Sequence, residues 1–272
     1  MTYIIKRYGL LGNQIIQLAN LIYMCKKNNA NFNNRRLGTN VSTAEDFTTQ
    51  FVDFKKIPFY TEIIDNEKEF SSFYDGKHGF DMKREERIEI MEQYIKPYSN
   101  FPVKKVSDRT CVIHIRSGEI FVGRPNKNYI QPPFGFYKKI IEENDNNFDE
   151  FLVVTQQDRK NPTISLLENY SQKVKIQSSS LEDDISILLG AKTIVSGYGT
   201  FLPQILFFSK EIKNIFCLDY TDFFSFFGTC LDANIIKYKF LKQYIPVGSW
   251  KNSEEQIQLM KSYSSCDIEK IL

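Results

Sequence analysis

The chain has 272 residues, of which 42% are hydrophobic and 25% are charged. This composition is typical of a globular protein with one large or two small domains, and it excludes a wholly disordered or fibrous chain. Thirty-five lysines and arginines against 33 aspartates and glutamates leave a net charge of +2, so no overall field favours nonspecific binding of nucleic acid or of an anionic membrane.

The chain carries no sequence signal for a membrane or for export. Its apolar runs are far shorter than the roughly 20 residues that cross a bilayer. The first residues become charged at Lys6 and Arg7 and lack the apolar stretch of a signal peptide, which predicts a cytoplasmic protein. Five scattered cysteines without a CxxC pair predict buried thiols rather than disulfides or a zinc site.

The first hundred residues begin with a clear strand and helix and then lose a regular pattern. A strand is predicted over 2–6, and the turn with Gly9 and Gly12 leads into a helix with one apolar face. Residues 26–40 are typical of a helix end and a loop. A further helix is predicted over 84–95, while the rest of this region mixes isolated aromatic and charged residues.

From residue 110 onward short strands and helices alternate. Strands are predicted over 111–115, 151–155, 174–176, 193–196 and 215–218, the last in the chain, and helices over 136–143, 163–170, 181–189, 201–208 and 253–260. Alternation at this spacing favours a parallel sheet covered by helices on both faces. A break in the hydrophobic pattern over 96–108 predicts a boundary between two doubly wound halves, 1–107 and 108–272.

Arg116 is the first candidate for binding an anion. It follows the strand over 111–115 at the carboxyl end, where open α/β sheets bind ligands. Its guanidinium can donate two parallel hydrogen bonds to a phosphate or carboxylate. The alternative is a surface ion pair with Glu119, and the local pattern does not decide between the two. His114, taken alone, is more typical of a hydrogen-bonded core residue than of a catalyst.

The turn before the helix over 201–208 is the second candidate. Gly197 and Gly199 allow the backbone to approach a ligand, and Thr200 is placed to cap the helix, whose free N–H groups favour a phosphate. The alternative is a plain capped helix after a glycine turn. Asp184, sixteen residues before Thr200, can accept hydrogen bonds from a base or a ribose, although a solvated helix start is the simpler interpretation.

The turn over 9–14 is the third candidate. It lacks the third glycine of a dinucleotide fingerprint and the Lys-Ser/Thr pair of a P-loop, which disfavours NAD and ATP as ligands. Asn13 and Gln14 are neutral groups of the kind that hold phosphate or sugar hydroxyls. The alternative role for Asn13 is to cap the helix that begins here.

Together these turns resemble the motifs of one enzyme family. Residues 11–14 with Gln17 resemble the Gly-Gly-Leu-Gly-Asn-Gln-x-x-Gln element of the fucosyltransferases of the α1,2, α1,6 and protein-O-fucosyl superfamily. Residues 114–119 resemble the family's His-x-Arg-Arg-x-Asp motif, and 199–201 its Ser-Thr-Phe element. The likeness spans about residues 1–220. The chain departs from the pattern by having Leu10, Ser117, Glu119 and Gly199 where the family has Gly, Arg, Asp and Ser, which leaves the sugar and the linkage open.

The resemblance implies a GT-B-like α/β fold, in which two Rossmann-like doubly wound domains face a cleft. Residues 1–107 would form the acceptor-side domain and 108–272 the nucleotide-sugar-binding domain. The implied reaction is the metal-independent, inverting transfer of fucose from GDP-fucose to a glycan hydroxyl. No cofactor and no metal is expected beside the donor substrate.

The resemblance also implies roles for individual residues. Arg116 would bind the diphosphate and carry activity, and His114 and Asp184 would lie near the guanosine. In the family's Ser-Thr-Phe element, the Thr and the Phe lie by the β-phosphate and the base. The resemblance therefore implies these positions for Thr200 and Phe201, which follow Gly199. Asn13 would face the donor across the cleft.

The general base is left open. Glu119 is one candidate, although a carboxylate beside Arg116 can also simply hold the guanidinium in place. Asp46 and Asp53 in the first half are others. Tyr129 and four phenylalanines at 223, 224, 226 and 227 can stack on an acceptor sugar, while 131–134 can form a rigid loop beside the cleft.

Two other interpretations stay open. The chain can transfer a sugar from another nucleotide donor, because the turns specify phosphates better than they specify the hexose. It can also be a catalytically inactive module that binds a nucleotide or a glycan. In each case the expected partners are small molecules and glycans rather than nucleic acid, and the oligomeric state is not predicted.

Overall fold

The computed structural model describes residues 1–5, 9–33, 50–70, 82–123, 125–219 and 231–271. The chain divides into two compact units, Met1–Phe101 and Pro102–Leu272. The residues just after the division belong with the second unit, because the Lys104 N–H donates to the Ser186 carbonyl at 2.9 Å. Gly190 packs so closely on the Lys104 carbonyl that a Cβ there would lie 1.8 Å from its oxygen. The roles expected for 1–107 and 108–272 stay predictions.

The described residues of the first unit include a small parallel sheet and the helices named below. Its elements are β1 (Thr2–Ile5), α1 (Leu11–Asn28), β2 (Asn31–Asn33), β3 (Glu67–Phe70) and α2 (Arg84–Ile90), and α2 continues as a π-helical turn, Met91–Ile95, and a 3-10 turn, Lys96–Tyr98. The sheet order is β2-β1-β3, and both pairings are parallel. The helix end expected from residue 26 is confirmed, since α1 ends at Asn28, but the loop expected after it is wrong at β2. The pattern missed β2 since asparagine is depleted in strands.

The second unit carries the alternation that the sequence predicts. Its elements are β4 (Thr110–Ile115), α3 (Phe134–Asn144), β5 (Glu150–Thr155), α4 (Pro162–Glu168), β6 (Val174–Gln177), α5 (Leu181–Gly190), β7 (Thr193–Ser196), α6 (Phe201–Leu206), β8 (Asn214–Leu218), β9 (Asn234–Phe240), α7 (Glu254–Ser262) and β10 (Ile268–Lys270). The predicted ends agree within about two residues, the usual uncertainty of such boundaries. The expectation that 215–218 is the last strand is wrong, because β9 and β10 follow it.

The sheet of the second unit has the strand order β10-β9-β8-β7-β4-β5-β6. Strands β4 to β9 are parallel, and β10 pairs antiparallel with β9. The chain runs outward from β4 to β6, returns through α5 to β7 on the other side of β4, and then runs outward again. The strand order therefore reverses between β4 and β7, and such a switch point opens a crevice at the carboxyl ends of the strands.

Helices cover this sheet on both faces. Helices α3, α4 and α7 pack against one another, and α5 packs against α6. Because parallel connections are right-handed, helices that follow strands on the two sides of the switch point lie on opposite faces. Ile113, Ile115 and Phe151 join Phe136 of α3 in one buried core. The α/β class with parallel sheets is thereby confirmed.

The cysteines and the helices bear on two further predictions. Cys25, Cys111 and Cys217 are buried free thiols as expected, whereas Cys266 is exposed, and Cys230 lies outside the described residues. Burial raises the pKa of the Cys25 and Cys217 thiols to about 12, so neither is a reactive thiolate at neutral pH. No helix within the described ranges is both long and apolar enough to cross a bilayer.

Candidate functional site

The turns after β4 and β7 lie side by side at the switch point. His114 on β4 pairs with Ser196 on β7, and the Gly197 N–H donates to the His114 carbonyl at 2.8 Å. Both strands end at the same edge of the sheet, so two of the three predicted motifs come together. This edge is where a doubly wound sheet places its ligand.

The Arg116 guanidinium is held by two neighbours. It forms an ion pair with the Glu119 carboxylate, which is the alternative that the sequence left open. Its Cζ also lies 4.2 Å from the centre of the Tyr129 ring, a cation–π contact. The Arg116 side chain is 14% exposed and that of Glu119 is 52% exposed. An anion that binds the guanidinium would therefore have to displace this half-exposed carboxylate.

The two glycines of the β7 turn are required by close approaches. Gly199 has a φ of +147°, and a Cβ at this position would lie 2.9 Å from Nη1 of Arg116. A Cβ at Gly197 would lie 2.7 Å from the His114 carbonyl oxygen. The Arg116 side chain thus lies against backbone that has no side chain of its own, as the predicted glycine turn requires.

Thr200 does not cap α6, and that prediction is wrong. Its backbone is helical, with φ −75° and ψ −22°, and its side chain makes no capping hydrogen bond. A capping residue instead has extended backbone, which directs its oxygen at the free N–H groups. Helix α6 also has only six residues, so its dipole is small. Phosphate binding at this helix start stays a prediction.

Asn13 does not cap α1 either. Leu10 occupies the cap position, and Asn13 is a buried residue of the first helical turn. Gly9 has a φ of +68° and lies so close to Asn13 that a Cβ would clash with its amide. Gln14 donates from Nε2 to the Gly9 carbonyl at 3.0 Å. Contact of Asn13 with a donor stays a prediction.

His114 is a neutral, buried imidazole. Burial, together with the positive charge of Arg116, lowers its pKa to about 3. Its ring centre lies 5.5 Å from that of Phe201, so it faces α6. Its Nδ1 is buried and has no hydrogen-bond partner within the described parts of the chain. The expectation of a hydrogen-bonded core histidine is therefore wrong for Nδ1, and an unpaired buried nitrogen of this kind needs a ligand or water.

Asp184 is buried, although its neighbours in the sequence are solvated. It is 8% exposed, and its Oδ1 has no hydrogen-bond partner among the residues that the structure describes. Burial and the nearby Asp183 raise its pKa to about 7. The exposed Asp183 instead accepts hydrogen bonds from Ser179 and Ser180. The prediction of a solvated helix start is correct for Asp183 and wrong for Asp184.

We expect Asp184→Asn to stabilise the protein at alkaline pH. The pKa of Asp184 is above the value of about 3.9 for an exposed aspartate, so between these values the folded state binds more protons than the unfolded state. Stability therefore falls as the pH rises from about 4 through 7. Asparagine cannot ionise, and in urea unfolding at pH 8 the variant should exceed wild type by at least about 1 kcal/mol.

The control for this prediction is Asp183→Asn. The pKa of Asp183 is lowered, mainly by hydrogen bonds from Ser180 and Ser179, so its ionised form stabilises the fold. This variant should lose stability above pH 4, the opposite sign. An Asp184→Asn variant that is no more stable than wild type at pH 8 would contradict the assignment of an ionisable, unpaired carboxyl.

The main chain after Arg116 is fixed by residues that the sequence analysis missed. The Ser117 N–H donates to Oε1 of Gln156 at 2.9 Å, and the Gly118 N–H donates to Oδ1 of Asp158 at 3.1 Å. Both acceptors lie in the loop between β5 and α4. The polar run that follows β5 at the same sheet edge was the available signal.

The loop before α3 ties the Arg116 turn to the glycine turn. Gln131 donates from Nε2 to the Tyr198 carbonyl at 3.2 Å, and the rings of Tyr129 and Tyr198 lie 6.2 Å apart. Gln131 thus has a structural contact, whereas Phe134 is the first residue of α3, so the loop predicted over 131–134 ends at Pro133. Tyr129 contacts Arg116, and stacking of its ring on an acceptor sugar stays a prediction.

The remaining candidates belong to the first unit or lie outside the described residues. Asp53 belongs to the first unit and pairs with Lys56 at 3.0 Å. Asp46 and the four phenylalanines at 223, 224, 226 and 227 lie outside the described residues. In the described part of the chain, no three His, Cys, Asp or Glu side chains are grouped as ligands for a metal ion. Metal-independent transfer stays a prediction.

Comparison with known proteins adds only distant likenesses. No protein-family model and no curated protein sequence matches the chain. The E. coli heptosyltransferase WaaC with ADP is similar at a TM-score of 0.44 and 11% identity, over 95% of this chain and 96% of that one. The iron-containing dodecameric glycosyltransferase TibC from enterotoxigenic E. coli H10407 is similar at a TM-score of 0.47 and 9% identity, over 98% of this chain and 73% of that one.

A third solved structure is similar over part of the chain. A putative UDP-N-acetylglucosamine 2-epimerase from Listeria monocytogenes gives a TM-score of 0.31 and 10% identity, over 58% of this chain and 40% of that one. Likenesses at these scores carry no argument about activity. The α/β class rests on the strand order and pairing of the chain itself.

Proposed function

We propose that the protein is a glycosyltransferase that transfers fucose from GDP-fucose to a glycan hydroxyl. The observation that carries this proposal is the placement of Arg116 at the switch point between β4 and β7, with its guanidinium against Gly199 and Tyr129. The resemblance of residues 114–119 and 199–201 to fucosyltransferase motifs supports the choice of donor.

Arg116 in this proposal binds the diphosphate of the donor. Its planar guanidinium can donate two parallel hydrogen bonds to phosphate oxygens, and it stays charged at every physiological pH. Tyr129 and Gly199 hold it in place before the substrate arrives. Glu119 serves as the counter-ion that the diphosphate displaces, because it is paired with the guanidinium and half exposed. The role of Glu119 as general base stays a prediction.

Asp184 and His114 in this proposal lie near the guanosine. Both belong to the side of the sheet covered by α5 and α6, and each carries a buried polar atom for which the described structure offers no partner. Guanine presents two adjacent N–H donors, at N1 and N2, that a carboxylate can accept together. Adenine has no donor at N1 and uracil has no amino group, so the Asp184 carboxylate favours guanine over both.

The proposed reaction is a single displacement at the anomeric carbon. The acceptor oxygen forms a bond to this carbon as the bond to the β-phosphate oxygen breaks, and the bonding electrons leave with GDP. The proton of the acceptor hydroxyl passes to a carboxylate base or to water. Negative charge develops on the leaving phosphate, where Arg116 stabilises it. A preorganised donor of this kind is worth about 3 kcal/mol in the transition state.

A panel of nucleotides tests the class of donor. We expect GDP to raise the unfolding temperature more than UDP or ADP does, because a ligand at a hundredfold excess over its Kd adds about 2.7 kcal/mol to the stability of the folded state. Asp184→Asn should lose the preference for GDP over ADP and keep diphosphate binding through Arg116. A larger shift with UDP would indicate a UDP-sugar rather than GDP-fucose as the donor. If none of the nucleotides shifts the unfolding temperature, the proposal is overturned.

Release of GDP separates catalysis from binding. With GDP-fucose and a set of glycan acceptors, the enzyme should release GDP in proportion to a new fucosylated product. The ion pair between Arg116 and Glu119 is also compatible with an inactive binding module. Such a module would show the thermal shift with GDP and release none of it.

A further inference from the structure

Asn161 connects the Arg116 turn to the start of α4. It is 1% exposed, and its Nδ2 donates to the Arg116 carbonyl at 2.9 Å. Its Oδ1 accepts from both the N–H and the hydroxyl of Thr163, at 3.0 and 2.8 Å. Its own N–H donates to Oγ of Ser117 at 3.0 Å. One buried residue therefore caps a helix and bonds to both the main chain of Arg116 and the side chain of Ser117.

This arrangement needs a side-chain amide. The Thr163 N–H can only donate and the Arg116 carbonyl can only accept, so the partner between them must present an acceptor at one end and a donor at the other. Aspartate would cap α4 but would place a second acceptor against the Arg116 carbonyl. Serine would also cap the helix, but its hydroxyl is too short to serve both partners.

The sheet does not hold Arg116 in place by itself. The pairing of β4 with β5 ends at Ile115 and Thr155, so the Arg116 carbonyl lies beyond the strand ladder. Its hydrogen-bond partner is instead the Asn161 amide. Removing that donor would leave a part-buried carbonyl unsatisfied and would release the turn that aims the guanidinium.

From this geometry we infer that Asn161 is a positioning residue for Arg116. The inference rests on the proposed function, since it assigns to Asn161 the aim of the guanidinium at the diphosphate. A displacement of about 1 Å in a reacting group can cost about 100-fold in rate.

The hydrogen bond between Asn161 and Ser117 bears on one departure from the family pattern. Ser117 stands where the resemblance expects a second arginine, and it is fully buried, with its Oγ receiving the Asn161 N–H. An arginine at 117 would lack the hydroxyl oxygen that receives the Asn161 N–H. In this chain the turn is thus fixed by the hydrogen bonds of Ser117, and Arg116 provides its positive charge.

The test is a double-mutant cycle on GDP affinity with Asn161→Ser and Arg116→Ala. If Asn161 acts through Arg116, Asn161→Ser should weaken GDP binding about tenfold in the wild-type background and leave it unchanged in the Arg116→Ala background. A purely structural role would weaken binding equally in both. In transfer assays, kcat/KM of Asn161→Ser should be at least about tenfold lower than that of wild type.

Asn144→Asp is the matched control, and Asn161→Asp is the second variant. Asn144 also donates from Nδ2 to a backbone carbonyl, that of Ile140 at 2.9 Å, but it lies at the end of α3. Asn144→Asp should keep kcat/KM within about twofold of wild type. Asn161→Asp, which retains the cap and loses the donor, should match Asn161→Ser. If one of the two Asn161 variants does not fold, the other decides.

The outcomes separate this inference from the function on which it rests. If Arg116→Ala binds GDP about 100-fold more weakly while both Asn161 variants bind GDP as wild type does, the positioning role is overturned and the proposed function stands. If Arg116→Ala itself binds GDP as wild type does, the proposed function is overturned and the inference falls with it.

Discussion

Arg116→Ala is expected to lower transfer of fucose from GDP-fucose by about 1000-fold, the range found when a cationic or oxyanion-stabilising donor is removed from a group-transfer site. The reason is that the leaving diphosphate would lose the guanidinium that the structure places at the switch point. The fold should persist, because the side chain contacts the Glu119 carboxylate and the Tyr129 ring rather than the core. Steady-state rates and circular dichroism measure the two effects.

Arg109→Ala is the matched control for this variant. Arg109 lies just before β4, at the opposite end of the strand from Arg116, and it also forms a carboxylate pair, with Asp149 at 2.6 Å. Removing an exposed pair of this kind has little effect on stability, because solvent screens the two charges. The transfer rate of Arg109→Ala should stay within about twofold of the wild-type rate. An Arg116→Ala enzyme with a wild-type rate would contradict the assignment.

Gly199→Ala should be the second most damaging change. The new Cβ would lie 2.9 Å from Nη1 of Arg116, and the φ of +147° is one that alanine adopts only with strain. We expect kcat/KM to fall about 100-fold, because the guanidinium must move away from its position. The backbone strain should also lower the free energy of unfolding by about 1–3 kcal/mol.

Gly123→Ala separates the local effect from the general cost of replacing a glycine. Within the described structure no atom lies within 4 Å of a Cβ at Gly123, and its backbone is not in the left-handed region. Stability should change by no more than about 0.5 kcal/mol, with kcat/KM unaffected. Equal losses in the two variants would show that Gly199 has no special relation to Arg116.

The sequence predicted the sheet of the second unit because its central strands are buried on both faces. Such strands give unbroken apolar runs, as at β4 and β7, which polar turns separate from amphipathic helices. Glycine and arginine at the ends of these runs identified the site. Strands β2 and β9 were missed, since β2 is short and β9 alternates apolar residues with lysines at partly exposed positions.

The contacts within the site could not be predicted in the same way. Sequence pattern indicated that Asp184 begins a helix, but its burial depends on how α5 packs against α6. The hydrogen bond from Asn161 to Arg116 joins residues 45 positions apart in the chain. The helical backbone at Thr200, which removes the expected cap, is likewise set by the packing of the turn rather than by its residue type. These are properties of the folded sheet edge.

A calorimetric titration of GDP into wild type and Arg116→Ala tests the central claim most directly. Wild type should bind one GDP per chain, and Arg116→Ala should bind it about 100-fold more weakly, because hydrogen bonds to a charged donor are lost. Equal affinity in the two proteins, or no binding of GDP to wild type, would contradict the claim that the switch-point arginine binds the diphosphate.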